Sequence, residues 1–293
     1  MSNSPGTPIT VVVPVFNEAE ALHDALRRLG VLLTKLPPGS EVVLVDDGSD
    51  DGSAEILAAG LPPGVRAFQH ARNRGYGAAL KSGIAAAKND LIAITDADGT
   101  YPHRAIPKLA ALVASGQCAM AVGARPVGDQ PMIRRPAKAV LRWLAQHLTG
   151  AHIPDLNSGL RVFWREDAVR LRNLLPDKFS FTTTITMALL TEGAEVRFVP
   201  IRYAARVGNS KIRPVRDTLD FLLLILRTTL AFHPLKVFGP LALLFLMAGV
   251  GLIIARLLMA HPFGVATTVI CFVTGIQLLA LGLLADLINR RSL

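Results

Sequence analysis

Two short acidic clusters hold the side chains of this chain that are best suited to chemistry. Asp46 and Asp47 follow the segment EVVLV, and Asp96 and Asp98 follow the segment LIAIT. Ionised carboxylates accept hydrogen bonds and bind hard cations through oxygen. Aspartate before glycine is also common in turns after a strand, because aspartate bonds its own backbone and glycine accepts a positive φ. Companion motifs elsewhere in the chain must therefore distinguish a ligand site from a pair of turns.

The pair Asp96 and Asp98, one residue apart after a buried strand, resembles the metal-binding DxD motif of glycosyltransferases, which transfer a sugar from a nucleoside diphosphate. Such a transfer needs a seat for the base and ribose, neutralisation of the leaving diphosphate, and a positioned nucleophile. We expect Asp46 and Asp47 to accept hydrogen bonds from base N–H groups and ribose hydroxyls. We expect Asp96 and Asp98 to hold Mg²⁺ or Mn²⁺, since one or two carboxylates together with diphosphate oxygens commonly hold such ions.

The segments around the acidic clusters predict an α/β domain. β-branched runs such as ITVVVPV alternate with stretches of helical apolar spacing. Strand, acidic or glycine turn, and helix repeat along the chain, which predicts a parallel sheet with ligands at the carboxyl ends of its strands. The pattern predicts strands at 9–15, 41–45, 66–70, 91–95, 119–124, 162–164 and 196–203, and helices at 18–33, 53–59, 107–115, 137–148, 166–174 and 181–192, with an alanine-rich helix ending at Ala87.

Five motifs occur one after another along this domain. They are VVVPVFNE at 11–18, VDDGSDDGS at 45–53, RNRGYGAALKSGI at 72–84, DADGTYP at 96–102 and NSGLR at 157–161. Together they resemble the family 2 glycosyltransferases, and within them the branch of dolichol-phosphate mannose synthases and related polyprenyl-phosphate glycosyltransferases. The resemblance covers about residues 9–211. It implies a GT-A (Rossmann-like) fold, a divalent metal, and inverting transfer of a hexose onto a lipid phosphate.

The same resemblance implies roles for individual residues. It gives the nucleotide pocket Pro14, Asn17 and Glu18, with Asp46 at the base or ribose and with Asp96 and Asp98 at the diphosphate and metal. The residues around the acceptor phosphate or donor diphosphate would be Arg125, Arg135, Ser158, Arg206 and Lys211, and the other substrate-binding candidates are Asp47 and Lys81. The catalytic candidates are Asp98, Arg125 and Asp155, with Asp155 as general base if the reaction uses one.

A phosphate acceptor limits the need for such a base. A phosphate monoester has a second pKa of about 6 and is largely a dianion at neutral pH. We therefore expect positioning and charge neutralisation to dominate catalysis. Basic stretches at 125–142 and 202–216 offer arginines that pair with phosphate oxygens. Ordinary cationic flanking of membrane helices is the alternative interpretation of the second stretch.

The identity of the donor depends on the residues after the DAD motif. Dolichol-phosphate mannose synthases usually continue this motif with a Leu-Gln type of pair, where this chain has Gly99 and Thr100. The side-chain amide that would join the metal shell is therefore missing. GDP-mannose is the favoured donor, and UDP-glucose and UDP-N-acetylglucosamine are the alternatives.

The C-terminal region has the composition of a membrane anchor. Val237–Ala255 and Phe263–Ala285 carry no charge, and at about 1.5 Å per residue each crosses a hydrocarbon core of roughly 30 Å. Lys236, Arg290 and Arg291 flank the pair, so the positive-inside rule predicts a multi-pass protein of the cell membrane with both ends and the catalytic domain cytosolic. The predicted parts are a catalytic domain at 1–212, an interfacial amphipathic helix at 213–233, for which a buried soluble helix is the alternative, and two transmembrane helices at 234–293.

The overall charge and the cysteines narrow the class of partner. The net charge of +9 favours anionic head groups or phosphates, and nucleic acid is disfavoured because no nucleic-acid motif accompanies the charge. Cys118 and Cys271 have neither metal nor disulfide spacing, as expected in a reducing compartment. The expected partners are a nucleotide sugar, a polyprenyl phosphate and the bilayer, and two membrane helices leave room for a homo-oligomer.

Two other functions compete with this interpretation. A processive polysaccharide synthase of the same fold carries a QxxRW-like element and more membrane helices, whereas Arg142 and Trp143 lack the glutamine at the required place. A non-catalytic lipid-binding protein that kept the fold would be expected to lose its carboxylates, yet Asp46, Asp96 and Asp98 are present.

Overall fold

A computed structural model of the chain describes residues 6–125, 143, 145–147, 149–178, 180–202, 229–230, 233–259 and 265–292. These residues form two compact units, one within 1–221 and the other within 222–293. The predicted helices at 137–148 and 213–233 lie largely outside the described residues and stay predictions. The domain boundaries at 212 and 233 also stay predictions.

A seven-stranded sheet forms the frame of the first unit, in the order β3-β2-β1-β4-β6-β5-β7. Its inner strands are apolar and β-branched, which suits burial on both faces. The strands are β1 (Ile9–Val15), β2 (Glu41–Asp46), β3 (Val65–Gln69), β4 (Leu91–Ile94), β5 (Met120–Ala124), β6 (Arg161–Trp164) and β7 (Val196–Pro200).

The predicted all-parallel sheet is wrong at one strand. β6 pairs antiparallel with both β4 and β5, whereas β1 to β4 are mutually parallel and β5 is parallel to β7. The long connection after β5 returns to the same edge of the sheet, where Asp155 pairs with Arg125 and Ser158 bonds Gly123. Because β6 begins where the parallel strands end, it has to run antiparallel to them. The local sequence pattern does not indicate the direction of a strand.

Helices cover both faces of this sheet. They are α1 (Ala19–Leu33), α2 (Ser53–Ala59), α3 (Tyr76–Ala86), α4 (Ile106–Ala114), α5 (Arg165–Arg170) and α6 (Phe181–Thr191), with a 3-10 helix at His103–Ala105 before α4. Most bounds agree with the predicted ones to within two residues. α5 ends earlier than predicted, at a turn before Pro176, and β7 stops at Pro200 because its partner β5 ends at Ala124.

Side-chain alternation along the strands divides the core between the two faces. Val11 and Val13 of β1 belong to the cluster that also contains apolar residues of α1 and α4. α3 packs on the other face, where Val43 and Val45 contact Ala79. Gly83 permits this close approach, since a Cβ there would lie 2.3 Å from the Val12 Cγ1 atom. Helices on both faces thereby hold the strands in place, and with them the carboxyl ends of β2 and β4, which carry the acidic clusters. These carboxyl ends are called the acidic edge.

The second unit contains two long apolar helices, α7 (Leu235–Met259) and α8 (Val265–Ser292). Both are long and apolar enough to cross a membrane, and little of either is buried in the protein. Glycines lie where the two helices meet: a Cβ on Gly275 would be 2.7 Å from the Leu246 Cγ atom, and one on Gly249 would be 2.9 Å from the Phe272 ring. Small residues at such contacts are typical of membrane helix pairs.

Candidate active site

Asp46 is the last residue of β2 and is almost completely buried. Its Oδ1 atom accepts hydrogen bonds from the backbone N–H of Ser49 at 3.2 Å and from the Ser49 hydroxyl. Among the described residues, its Oδ2 atom has no hydrogen-bond partner. Buried polar atoms are usually hydrogen-bonded, so this oxygen is suited to accept a hydrogen bond from a ligand N–H or hydroxyl.

Asp47 is adjacent in sequence but is used differently. Its Oδ1 atom accepts from the backbone N–H of Arg74 at 3.0 Å and lies 2.7 Å from the His70 Nδ1 atom. Its Oδ2 atom accepts from the Gly75 N–H at 2.7 Å. Both oxygens therefore hold the loop that precedes α3, which gives Asp47 a structural role, and its predicted contact with base or ribose stays a prediction.

The predicted nucleotide-pocket residues join the end of β1 to the loop after β2. Pro14 lies in β1 beside Val45 of β2. Asn17 adopts a left-handed backbone with φ of 54°, and its side chain donates to Asp50 Oδ1 at 2.7 Å while accepting from the Asp50 N–H at 3.0 Å. The Glu18 N–H donates to the Ser53 hydroxyl at 3.1 Å. These contacts fix the rim around Asp46.

Asp96 follows β4 and is held by an aromatic hydroxyl. Tyr76, at the start of α3, donates to the Asp96 Oδ1 atom at 2.9 Å. A Cβ on Gly159 would lie 2.7 Å from the Asp96 Oδ2 atom, so a larger residue there would displace this carboxylate. The Gly159 N–H in turn donates to the Tyr101 hydroxyl at 2.7 Å. The DAD and NSGLR motifs are therefore in direct contact.

Asp98 is buried and is oriented by the residue two positions later. Its Oδ1 atom accepts from the Thr100 hydroxyl at 2.6 Å and from the Thr100 N–H at 3.1 Å. Gly99 makes this turn with φ of 72°, a conformation that favours glycine. Thr100 stands where mannose synthases have a residue with a side-chain amide, and in this structure it positions the Asp98 carboxylate.

The two carboxylates fit a divalent cation that is completed by its substrate. The described residues contain no group of three or more histidine, cysteine, aspartate or glutamate side chains that could hold a metal alone. Asp96 and Asp98 supply hard oxygen ligands, each oriented by a hydroxyl group. Magnesium and manganese sites in phosphate-binding enzymes commonly use one or two carboxylates and take the remaining ligands from phosphate and water.

Arg125 and Asp155 form a bidentate ion pair beside this edge, in which Asp155 is buried and Arg125 is partly exposed. The Arg125 Nε atom donates to Asp155 Oδ2 at 2.7 Å and its Nη2 atom donates to Oδ1 at 2.8 Å. Burial alone would raise the pKa of Asp155, but the hydrogen bonds and charge of Arg125 outweigh it and hold the pKa below its ordinary value. Asp155 therefore orients Arg125, and this geometry does not favour the predicted role of general base.

Ser158 and Arg161 support the loop that carries Gly159. The buried Ser158 hydroxyl donates to the Gly123 carbonyl at 2.6 Å, so it is directed at the protein and not at a ligand. Arg161 is fully buried and donates to the carbonyls of Ser158 and Leu156, each at 2.8 Å, and to the Thr186 hydroxyl. Burial lowers the pKa of Arg161 to about 10, which leaves the side chain charged at neutral pH.

Sequence reasoning missed three of these residues: Arg161, Tyr76 and Tyr101. Although part of the Tyr76 ring is accessible, desolvation of its hydroxyl, reinforced by the charge of Asp96, raises its pKa well above the ordinary value. The phenol therefore stays protonated and able to donate. The available signal was their position, since all three lie inside motifs that were already recognised, GYG, TYP and NSGLR.

The remaining candidates lie apart from this edge or outside the described residues. The Lys81 Nζ atom pairs with Asp177 Oδ1 at 2.7 Å, and Lys81 lines a cavity of about 600 Å³ with Arg74 and Arg172 rather than with the acidic cluster. Arg135, Arg206 and Lys211 fall outside the described residues, so their roles remain predictions.

Family models match both parts of the chain. Residues 10–171 match the model described as glycosyl transferase family 2, and residues 233–290 match the GtrB C-terminal hairpin. The first match spans the sheet from β1 to α5, including all five motifs, and the second spans α7 and α8.

Curated relatives and solved structures agree with these matches. Undecaprenyl-phosphate 4-deoxy-4-formamido-L-arabinose transferases from Edwardsiella ictaluri and Pseudomonas savastanoi pv. phaseolicola are 32% and 31% identical, over 96% of this chain and 89% and 86% of theirs. Glucosyl-3-phosphoglycerate synthase from Mycobacterium tuberculosis, in complex with Mn²⁺, uridine diphosphate and phosphoglyceric acid, has a TM-score of 0.61 at 20% identity, over 76% of this chain and 79% of its own. The predicted GT-A fold is confirmed, and the chain belongs to glycosyltransferase family 2.

Proposed function

We propose that this protein transfers a sugar from a nucleoside diphosphate to a polyprenyl phosphate at the cytosolic face of a membrane. The observation that carries the proposal is the pair of oriented carboxylates, Asp96 and Asp98, at the carboxyl ends of the same sheet as Asp46, whose Oδ2 atom has no partner among the described residues. Together they offer a metal and diphosphate site next to an acceptor atom for the base or ribose. The C-terminal helix pair supplies the anchor that a lipid acceptor requires.

In this proposal, each side chain at the edge has one task. Asp46 accepts a hydrogen bond from the nucleoside, and Asn17 with Asp50 keeps the rim of the pocket in place. Asp96 and Asp98 hold Mg²⁺ or Mn²⁺, which when bound neutralises the charge of the leaving diphosphate. Tyr76 and Thr100 keep the two carboxylates turned toward that site.

The acceptor is activated by position more than by proton removal. An oxygen of the phosphate dianion forms the new bond to the anomeric carbon while the bond from that carbon to the diphosphate breaks, with inversion and release of the nucleoside diphosphate. Arg125, held in place by Asp155, neutralises phosphate charge at the edge. Arg135, Arg206 and Lys211 are proposed to complete the cationic surroundings of the acceptor.

The names of the curated relatives indicate the lipid acceptor and the sugar donor more directly than the resemblance to dolichol-phosphate mannose synthases does. The curated relatives are named for undecaprenyl phosphate, and we propose an acceptor of that type in place of dolichyl phosphate. Their named sugar is an L-arabinose derivative, and Thr100 occupies the place of the amide expected of mannose enzymes. We therefore propose UDP-sugars as donor candidates on equal terms with GDP-mannose, which the sequence favours.

The test is transfer of label from each donor to lipid. Membranes containing the protein receive undecaprenyl phosphate, Mg²⁺ or Mn²⁺, and labelled GDP-mannose, UDP-glucose, UDP-N-acetylglucosamine or uridine diphosphate 4-deoxy-4-formamido-L-arabinose. We expect one donor to give a lipid carrying a single sugar, and EDTA to stop the reaction until the metal is restored. A polymeric product would indicate a processive synthase. Lipid binding without transfer from any donor would indicate a non-catalytic protein.

A matched pair of variants separates the site from general effects of charge. Asp96→Asn removes one carboxylate at the carboxyl end of β4, and Asp90→Asn removes an exposed one just before the same strand begins. We expect transfer to be lost in Asp96→Asn and kept in Asp90→Asn. Equal transfer by both variants would contradict the proposed metal site.

A further inference from the structure

A second cleft, lined by both basic and apolar side chains, lies behind the turn that carries Asp98. It has a volume of about 500 Å³ and is bounded by α1, by the segment 99–104 and by Arg202 after β7. None of the four carboxylates of the acidic clusters lines it. The cationic side chains in its described wall are Arg27, Arg28, Lys35, Arg104 and Arg202.

The charges in this cleft are poorly balanced. Asp24 pairs with both Arg27 and Arg28. In the described part of the chain, Lys35, Arg104 and Arg202 have no carboxylate within ion-pair distance. Within the residues that the structure describes, three cations around one depression thus have no counter-charge, which favours an anionic ligand.

A buried histidine in the same wall provides an independent indication of a ligand. His103 is 8% exposed and lines the cleft. Neither of its ring nitrogens has a hydrogen-bond partner among the residues that the structure describes. Burial, together with the charge of Arg28, lowers the pKa of His103 to about 4, so the ring is neutral at neutral pH. A neutral imidazole has one N–H to donate.

We propose that this cleft binds a phosphate group carried on a small organic body of about the size of glycerol. Arginines pair with phosphate oxygens through two parallel hydrogen bonds, and His103 adds a neutral donor. The volume is within the range of small-molecule sites and exceeds what a lone phosphate fills. The wall also contains Val31, Leu32 and Pro102, which suit a partly apolar ligand. A glycerophosphate head group of an anionic lipid and a soluble phosphate ester share this chemistry.

The cleft is connected to the acidic edge through one backbone turn. The Arg28 Nη1 atom donates to the Gly99 carbonyl at 3.3 Å, directly after Asp98. A phosphate that binds Arg28 therefore lies close to the turn that orients Asp98. Binding in the cleft needs neither donor nor acceptor, so it can be measured independently of sugar transfer.

Calorimetric titration of the full-length protein in a neutral detergent tests the proposal. The probes are inorganic phosphate, glycerol 3-phosphate, and short-chain phosphatidylglycerol and phosphatidylcholine. Binding of glycerol 3-phosphate would identify a soluble ester, and binding of phosphatidylglycerol alone would identify a lipid head group. The proposal is overturned if neither binds, or if phosphatidylcholine binds as well as phosphatidylglycerol.

Variants assign any binding to the cleft. Arg104→Gln and Arg202→Gln change exposed side chains, and each should weaken binding about tenfold, as expected for the loss of one charge-assisted hydrogen bond. His103→Phe should also weaken binding, and His103→Gln, which keeps an N–H donor, should weaken it less. Arg197→Gln is the matched control, since Arg197 pairs with Glu195 outside the cleft. Equal binding by Arg104→Gln, Arg202→Gln and the control would overturn the proposal.

Discussion

The acidic turns after β2 and β4 look alike in sequence and differ in how their carboxylates are used. After β2, both oxygens of Asp47 are taken by the loop before α3, while one buried oxygen of Asp46 has no partner among the described residues. After β4, Asp96 and Asp98 each receive a hydroxyl hydrogen bond, from Tyr76 and Thr100. The motif alone does not indicate these partners, which come from the loop 70–75 for Asp47 and from Tyr76 and Thr100 for the other pair. We therefore expect Asp47 to be mainly structural, and Asp46, Asp96 and Asp98 to bind ligands.

Asp155 belongs with Asp47 in this comparison. It is buried, and both of its oxygens accept hydrogen bonds from Arg125. Replacing a structural aspartate should therefore change stability first, whereas replacing a ligand-binding one should change activity first.

The largest effect is expected for Asp98→Asn. The amide keeps an oxygen for Thr100 but loses the charge needed for the metal, so we expect transfer to fall about 10²–10³-fold. The free energy of unfolding should fall by less than about 1 kcal/mol, because an acceptor for Thr100 is kept. Single-turnover transfer and denaturant unfolding in detergent measure the two quantities, with Asp90→Asn as the control. Loss of stability in parallel with activity would place Asp98 in the structural class.

Asp47→Asn and Asp46→Asn should differ in the opposite way. In Asp47→Asn, the side-chain NH₂ group would face at least one N–H group of the loop 70–75 that now donates to the carboxylate. We therefore expect the variant to lose roughly 2–4 kcal/mol of unfolding free energy. Asp46→Asn keeps an acceptor for Ser49 and should lose less than about 1 kcal/mol of unfolding free energy. The affinity for the nucleotide sugar should fall about tenfold. Unfolding curves and nucleotide titrations of the two variants provide the comparison. Equal stability would remove the distinction between these neighbours.

A smaller effect is expected for Tyr76→Phe. The variant keeps the ring but loses the hydrogen bond to Asp96, which should reduce the unfolding free energy by about 1 kcal/mol. The transfer rate should fall while nucleotide affinity through Asp46 is kept. Tyr101→Phe is the comparison variant, because its hydroxyl accepts from Gly159 and is not bonded to a carboxylate in that contact. An unchanged rate in Tyr76→Phe would show that Asp96 does not depend on this bond for its orientation.

The last prediction concerns the pH dependence that Asp155 gives to stability. Its folded-state pKa lies below the ordinary value of about 3.9, so its ionised form stabilises the fold fully above that pH. This contribution is lost as the pH falls below about 4 and through the folded-state pKa. Asp155→Asn should therefore flatten the acid limb of a stability–pH curve. An acid limb identical to that of the unmodified protein would contradict the assignment.

Local pattern was sufficient for much of the fold. β1 and α2 have the predicted bounds, and the other strands and helices of the sheet domain are close to theirs, because side-chain periodicity and the acidic or glycine turns are properties of neighbouring residues. The uncharged spans near the C-terminus likewise predicted α7 and α8, since length and composition alone determine whether a helix can cross a bilayer.

The sequence by itself determined the alternation of strands and helices, the order of the motifs and the presence of carboxylates at strand ends. Only the tertiary structure decided that β6 runs antiparallel to its neighbours and that Arg161 is buried beneath the NSGLR loop. It also decided that both oxygens of Asp47 accept hydrogen bonds, whereas one oxygen of Asp46 has no partner among the described residues. Each of these depends on groups far away in the chain: the donors to Asp47 come from residues 70–75, and the partner of Arg125 is Asp155. Pattern reports what a segment tends to form, whereas contacts between distant segments decide what each side chain does.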